Sequence, residues 1–144
     1  MQPPPLKDWM FLGKLSEKTS LKVIHANVSS RFIHISKAST SAVLSLDEDV
    51  SLSVEEIQFA YEVWKQFENR IVGFPSRNHY WDDQNRLWVY SSAMTNEFSM
   101  ILTSAAFIHR KHARLFTEYL SVSLTSAVET YPECQHILIN FLIR

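Results

Sequence analysis

The feature that most constrains the fold is a short apolar run, residues 42–46, that stops abruptly at Asp47, Glu48 and Asp49. The run has the length of a strand buried within a sheet. Because ligands bind beyond the carboxyl ends of strands in open α/β sheets, carboxylates at this position predict a ligand site. Asp47 and Asp49 are spaced i and i+2, which places both on one side of an extended chain. Their hard oxygens suit Mg²⁺ or Mn²⁺, which would neutralise a diphosphate, and the alternative is a solvated turn at which the strand ends.

An amphipathic helix is predicted directly after this run, over residues 53–67. Ser53 and Glu56 have the S-x-x-E spacing of a capping box. Apolar side chains recur on one face of this helix: Ile57, Ala60, Tyr61 and Trp64. Further strands are predicted at residues 21–25, 70–74 and 98–108, and further helices at 111–119, 122–130 and 132–142. The alternation of strands and helices predicts an α/β fold.

Two stretches are assigned no regular element. They are the polar residues 27–37 and the residues 76–96, which are rich in aromatic, Asn and Asp side chains. Four large aromatic residues are assigned to the core: Trp64, Trp88, Phe98 and Phe141.

Composition excludes several classes of function. The 144 residues suffice for one domain with a real core, and a formal net charge of −1 gives no field that would draw the chain to nucleic acid. With only two glycines, Gly13 and Gly73, a glycine-rich phosphate loop is excluded. The single cysteine, Cys134, excludes an intrachain disulfide and a Cys-rich zinc site. No signal peptide is predicted at residues 1–5, and no segment reaches the roughly 18 consecutive apolar residues of a membrane span.

The acidic run belongs to an ordered series of sequence blocks: residues 42–49, 59–64, 70–75, 79–82, 88–90, 95–100, Cys134 and 137–142. Together these blocks resemble the C-terminal glycosyltransferase domain of the exostosins, the heparan-sulfate polymerising glycosyltransferases. The resemblance implies a GT-A type α/β fold, a mixed sheet flanked by helices, that is incomplete at its N-terminal nucleotide-binding half and at its C-terminus. Residues 1–20, with three prolines at positions 3–5 and Gly13, are predicted to be an irregular lead-in. The resemblance implies a partial glycosyltransferase domain over residues 21–144.

The resemblance also implies roles for residues around the D-x-D. Asp49 would ligate Mn²⁺, and Asp47 and Glu48 would face the nucleotide and its sugar. A divalent cation at this point would stabilise the negative charge that develops on departing UDP. Arg31, upstream of the D-x-D, would reach the nucleotide with its guanidinium, or it is a solvated surface side chain. Two more residues would border the donor sugar, or would cap and solvate the end of a strand: Asn96 and Glu97.

The chain departs from the family pattern near its end. His136 occupies the position of the family's catalytic Asp, and Gln135 replaces the acid before it. A neutral imidazole can accept a proton but does not supply negative charge. Cys134 matches a family cysteine that pairs with a downstream cysteine in the secretory pathway, and the alternative is a buried free thiol.

The resemblance further implies partners and a location. The donor would be UDP-N-acetylglucosamine, the acceptor a glycosaminoglycan, and the protein a homo- or hetero-oligomer with another exostosin, without nucleic acid. It would lie in the lumen of the endoplasmic reticulum or Golgi, anchored to the membrane elsewhere in the parent protein, in agreement with the glycosylation sequon at Asn27.

Two functions stay open. One is metal-dependent, retaining transfer of N-acetylglucosamine to a heparan-sulfate-like glycan. The other is a catalytically impaired exostosin-like partner, or a truncated fragment, because His136 replaces the catalytic acid.

Two further clusters stand outside these roles. Residues 79–83 combine an imidazole, two aromatic rings and two carboxylates, which suits an acceptor-sugar platform or, alternatively, a loop with a half-buried Trp. His109 and His112 flank Arg110 and Lys111 without an acidic neighbour, which predicts a basic surface rather than a metal site.

Overall fold

The computed structural model describes residues 30–93 and 97–143 of the chain. These residues form five helices: α1 (Ser30–Ser36), α2 (Val54–Gln66), α3 (Arg110–Tyr119), α4 (Val122–Thr130) and α5 (Cys134–Leu142). They also form six strands: β1 (Ala42–Leu46), β2 (Val72–Gly73), β3 (Ser76–Asp82), β4 (Leu87–Ser91), β5 (Met100–Ile101) and β6 (Ala105–His109). Two three-stranded sheets result, ordered β1-β6-β2 and β4-β3-β5. Every strand pairing is antiparallel, so helices and strands are mixed as predicted but the expected mixed sheet is not found among the described residues.

The first sheet is packed by helices on both faces. Successive side chains of its central strand, β6, point to opposite faces. Ile108 belongs to the cluster with α1, α3 and α5, whereas Phe107 belongs to the cluster with α2. On the first face the rings of Phe32 and Phe116 lie 4.3 Å apart, and on the second Trp64 is 2% exposed. This packing fixes β1, and therefore the acidic run that follows it, relative to α1 and α5.

The predicted helix after the acidic run is confirmed. The Ser53 side chain accepts from the Glu56 backbone N–H at 3.1 Å, and the Glu56 carboxylate accepts from the Ser53 backbone N–H at 2.7 Å. These two bonds complete the capping box, so α2 begins at Val54.

Gly73 is needed where β2 approaches β6. A Cβ at this position would lie 2.1 Å from the carbonyl oxygen of Ala105 and 2.5 Å from the Cα of Ala106. No side chain fits at that distance, so only glycine lets β2 pair with β6 in this register.

The second sheet contains a hairpin, β3–β4, where no regular element was predicted. The aromatic side chains of residues 76–91 suit strands, and the Asp and Asn residues between them form the turn. The Asp82 carboxylate accepts from the backbone N–H groups of Gln84 at 2.9 Å and Asn85 at 3.1 Å. The acidic and amide residues of this stretch therefore serve local turn chemistry.

Three other element predictions need correction. α1 lies within residues 27–37, and it forms because Phe32 and Ile35, spaced i and i+3, are buried in the core. The predicted strand at 98–108 is two strands, β5 and β6, since the chain turns between them at Thr103 and Ser104. α5 begins at Cys134 rather than at Pro132, and the strand predicted at 70–74 is shortened to Val72–Gly73. The strand predicted at 21–25 lies outside the described residues.

The predicted core is right for Trp64 and wrong for the other aromatic residues. Trp88 is 66% exposed, Phe98 51% and Phe141 48%. These rings lie on or beside the second sheet. In the described part of the chain, helices do not cover both faces of this sheet as they cover those of the first. Among the described residues, no helix has the length and apolar content that crossing a membrane requires.

Candidate functional site

The acidic run turns away as soon as β1 ends. The Asp47 backbone N–H donates to the Ser104 carbonyl at 2.8 Å, and its carbonyl accepts from the Val50 N–H at 3.2 Å. Glu48 and Asp49 are therefore the exposed central residues of a turn. The expectation that Asp47 and Asp49 share one side of an extended chain is wrong, because the chain is not extended beyond Leu46.

Arg31 and Asp47 form an ion pair that links α1 to the end of β1. The Arg31 Nη2 donates to the Asp47 carboxylate, and Nη1 donates to the Thr103 carbonyl at 3.1 Å and to the Ser45 hydroxyl at 3.4 Å. The two charged side chains are 26% and 29% exposed, so the pair is partly shielded from water. The structure thus joins two residues that the sequence assigned separately to nucleotide binding.

His136 approaches the same cluster from α5. Its Nδ1 lies 3.2 Å from the backbone nitrogen of Thr103 and 2.8 Å from the Thr103 hydroxyl. Burial lowers the pKa of the His136 imidazole, the positive charge of Arg31 lowers it further, and Asp47 acts in the opposite direction. The ring is therefore held neutral at neutral pH beside a pair that is itself internally neutralised.

Two residues of this cluster were missed from the sequence, Ser45 and Thr103. Thr103 is fully buried and Ser45 is 6% exposed, and the Ser45 hydroxyl donates to the Thr103 carbonyl at 2.7 Å. The signal available was a hydroxyl inside each of two apolar runs, since a buried hydroxyl needs a hydrogen-bond partner. Thr103 contacts Arg31, Ser45 and His136, and it is the residue that unites the cluster.

The other predicted site residues lie at the surface or outside the described residues. Glu48 and Asp49 are exposed on the turn, and Glu97 is exposed before β5. Asn96 lies outside the described residues.

Asp49 suits a cation that arrives with its own phosphate ligands. No group of three or more His, Cys, Asp or Glu side chains within residues 30–93 and 97–143 could enclose a metal ion. A cation such as Mg²⁺ is commonly held by one or two carboxylates together with substrate phosphates, which an exposed carboxylate allows. The residues present therefore fit a metal bound through a diphosphate, and not a cage built by the protein alone.

The hairpin presents an exposed aromatic face, formed by His79, Trp81, Trp88 and Tyr90. His79 is paired with Tyr90, and Trp81 with Trp88, so the four side chains share one side of the sheet. Ring centroids lie 5.5 Å apart for His79 and Trp88 and 5.6 Å apart for Trp81 and Trp88. Phe141 from α5 meets His79 edge-on at 5.2 Å. Tyr80 points to the opposite side, so the sequence cluster at residues 79–83 is divided between two faces.

The predicted basic surface at His109 and His112 is wrong for His112, which is 5% exposed. Burial, helped by Lys111 and then His109, lowers the pKa of His112 to about 4. His109 caps α3 instead, accepting at Nδ1 from the Lys111 N–H at 3.0 Å, and burial lowers its pKa as well.

Cys134, at the start of α5, is a half-buried free thiol. Cys134 is the single cysteine of this sequence, so its pairing with a downstream cysteine stays a prediction.

In an α/β protein, carboxylates that follow a strand suit a metal ion bound together with the phosphates of a sugar nucleotide. Comparison with known sequences identifies the class of protein. The glycosyl transferase family 64 domain matches residues 2–144. The chain belongs to this family of glycosyltransferases.

The relatives are exostosins. The chain is 49% identical to Exostosin-1a of Danio rerio over 116 residues, which are 81% of this chain and 16% of that protein. It is 47% identical to Exostosin-1 of Bos taurus over 116 residues, which are 81% of this chain and 16% of that protein. It is 46% identical to Exostosin-1 of Drosophila melanogaster over 117 residues, which are 81% of this chain and 15% of that protein. The chain thus spans about a sixth of the length of these curated relatives.

Proposed function

We propose that this chain forms part of a GT-A type glycosyltransferase domain that transfers N-acetylglucosamine from UDP-N-acetylglucosamine to a heparan-sulfate-like glycan, with retention of configuration. The observation that carries the proposal is the Arg31–Asp47 pair at the end of β1, followed at once by the exposed Glu48 and Asp49. The resemblance to the exostosins implies that the nucleotide and its metal would lie at this position.

The Arg31–Asp47 pair would form one rigid side of the donor site. Because Arg31 also binds the Thr103 carbonyl, its guanidinium is held in one orientation. The charges of the pair offset one another, so Glu48 and Asp49 supply the free negative charge of this turn. Asp49 would hold Mn²⁺, which when bound stabilises the charge on the leaving diphosphate. Glu48 would face the donor sugar together with Asn96 and Glu97.

The acceptor would lie on the aromatic face of the hairpin. Exposed aromatic rings stack on the apolar faces of sugars, and Trp81 and Trp88 remain 46% and 66% exposed. Arg77 lies two residues before His79 and so on the same side of β3, where a cation suits an acidic sugar. The proposal extends to a luminal location in the secretory pathway and to pairing with another exostosin.

The experiment uses the protein in its full-length form with UDP-N-acetylglucosamine and a glucuronate-terminated acceptor. Transfer is expected with Mn²⁺ and not after EDTA, and Asp49→Asn should reduce it at least about a hundredfold, as loss of a metal ligand does. Glu129→Gln, an exposed change on α4, is the matched control. Transfer that is indifferent to both EDTA and Asp49→Asn would contradict the proposal.

The second candidate is a catalytically impaired exostosin-like partner, and His136 is the observation that favours it. The ring is neutral and hydrogen-bonded to Thr103, so it brings no negative charge to the site. His136→Asp should then create or raise transfer activity in the full-length protein. A wild-type protein as active as an exostosin relative would contradict this candidate.

A further inference from the structure

A backbone N–H group determines whether Nδ1 of His136 donates or accepts a hydrogen bond. The N–H of Thr103 points at Nδ1 with a nitrogen–nitrogen distance of 3.2 Å. A backbone N–H can only donate, so Nδ1 must carry a lone pair and no proton. The Thr103 hydroxyl, 2.8 Å from the same nitrogen, must then donate to it as well. In the neutral ring the proton therefore sits on Nε2.

We propose that Thr103 locks His136 in the Nε2–H tautomer, so that the imidazole serves the donor site as a hydrogen-bond donor and not as a base. The ligand of Nε2–H, an oxygen of the bound sugar nucleotide, is the only part of this inference that rests on the proposed function. His136 is in this view a binding and positioning residue. It joins α5 to the Arg31–Asp47 pair through Thr103, whose carbonyl accepts from Arg31 at 3.1 Å.

The surroundings of Thr103 leave little freedom for another arrangement. Thr103 is fully buried, and its carbonyl accepts from Ser45 at 2.7 Å as well as from Arg31. α5 is also held one turn later, where Asn140 donates to the Ile101 carbonyl at 2.7 Å and accepts from the Ile101 N–H at 3.0 Å. A proton on Nδ1 would face the Thr103 N–H and would leave that buried donor without an acceptor.

Two amide substitutions separate the two ring nitrogens. His136→Asn places a carboxamide oxygen close to the position of Nδ1, so it can still accept from Thr103 but lacks the Nε2–H. His136→Gln reaches the Nε2 position and leaves the Thr103 N–H without its acceptor. We expect His136→Asn to melt close to the wild type and His136→Gln to melt roughly 5 °C lower, because a buried donor is left unsatisfied.

Donor binding provides the second readout. Calorimetry with UDP-N-acetylglucosamine and Mn²⁺ should show three- to tenfold weaker binding for the stable His136→Asn variant, about the loss of one hydrogen bond. Glu118→Gln on the exposed face of α3 should bind like the wild type. Unchanged affinity in His136→Asn would overturn the role of Nε2–H as a donor.

The tautomer itself is measured by NMR on protein with ¹⁵N-labelled histidine, with the His136 signals assigned by their loss in His136→Asn. An Nε2–H ring at neutral pH is the expected result, and an Nδ1–H or doubly protonated ring would overturn the proposal. If the wild type binds no sugar nucleotide at all, the proposed function fails. The tautomer and the order of the two melting temperatures then still test whether Thr103 holds His136 in the Nε2–H form.

Discussion

The side chain of Asn140 binds both backbone groups of Ile101. Its amide donates to the Ile101 carbonyl at 2.7 Å, and its oxygen accepts from the Ile101 N–H at 3.0 Å. Asn140 thus supplies the hydrogen bonds that a neighbouring strand would give to β5, and it anchors α5 beside His136. The orientation of the candidate site therefore depends on one side chain that has no expected contact with a substrate.

Asn140→Ala should lower the free energy of unfolding by about 2–3 kcal/mol, because two backbone groups lose their partners and the carbonyl of His136 loses a donor. Urea denaturation measures this loss. The control is Asn85→Ala, which removes an exposed turn bond and should cost less than about 1 kcal/mol. Equal losses in the two variants would show that Asn140 does not anchor α5.

Gly73→Ala should destabilise the protein by about 3 kcal/mol or more, because the new Cβ would meet the Ala105 carbonyl oxygen at 2.1 Å. Thermal melting followed by circular dichroism is the measurement. Val122→Ala, at a site that is 87% exposed, should leave the melting temperature almost unchanged. A Gly73→Ala variant as stable as the wild type would mean that β2 does not approach β6 this closely.

Stability should fall on acidification in a window set by His112. Its pKa is about 4 in the folded protein and about 6.5 when unfolded, so the unfolded chain binds the proton more readily. The contribution is fully present above about pH 6.5 and is lost as pH falls toward 4, up to about 3 kcal/mol. Urea unfolding at several pH values measures the slope. His112→Gln should flatten the curve in this window, and an unchanged slope in that variant would contradict the assignment.

The Arg31–Asp47 pair should show a coupling energy of about 1 kcal/mol in a double-mutant cycle with Arg31→Met and Asp47→Asn, since the pair is partly exposed. Urea unfolding gives the four free energies. The exposed pair Arg114–Glu118 on α3, substituted in the same way, is the control and should couple by no more than about 0.5 kcal/mol. Coupling no larger than in this control would place Arg31 and Asp47 apart in solution.

Trp88→Ala should weaken acceptor binding about tenfold while changing stability by less than about 1 kcal/mol, because the ring is 66% exposed. The measurement is the KM for a glucuronate-terminated oligosaccharide in the full-length protein. Tyr119→Ala, 72% exposed on α3, is the aromatic control. An unchanged KM for Trp88→Ala would remove the aromatic face as the acceptor site.

Local patterns in the sequence predicted β1 and α2 well, because each of these patterns has a local cause. β1 is a short run of four apolar residues and one serine, and α2 carries a capping box whose two bonds involve residues three apart. Sequence patterns failed where an element, or the burial of a side chain, depends on residues that are distant in the sequence. Phe32 and Ile35 form α1 because α3 lies against them, and Phe98 and Phe141 stay about half exposed because no element within the described residues covers them.

The sequence by itself determined the family, the acidic run after β1 and the replacement of an acid by His136, because these depend on residue identity and order alone. Only the tertiary structure decided that Arg31 and His136 meet at Thr103, that Asp47 pairs with Arg31, and that Asp49 is exposed on a turn. The physical reason is that a buried hydroxyl and carbonyl must find hydrogen-bond partners. Two of the partners of Thr103 come from helices 72 residues before it and 33 residues after it, and the third, Ser45, from a strand 58 residues before it.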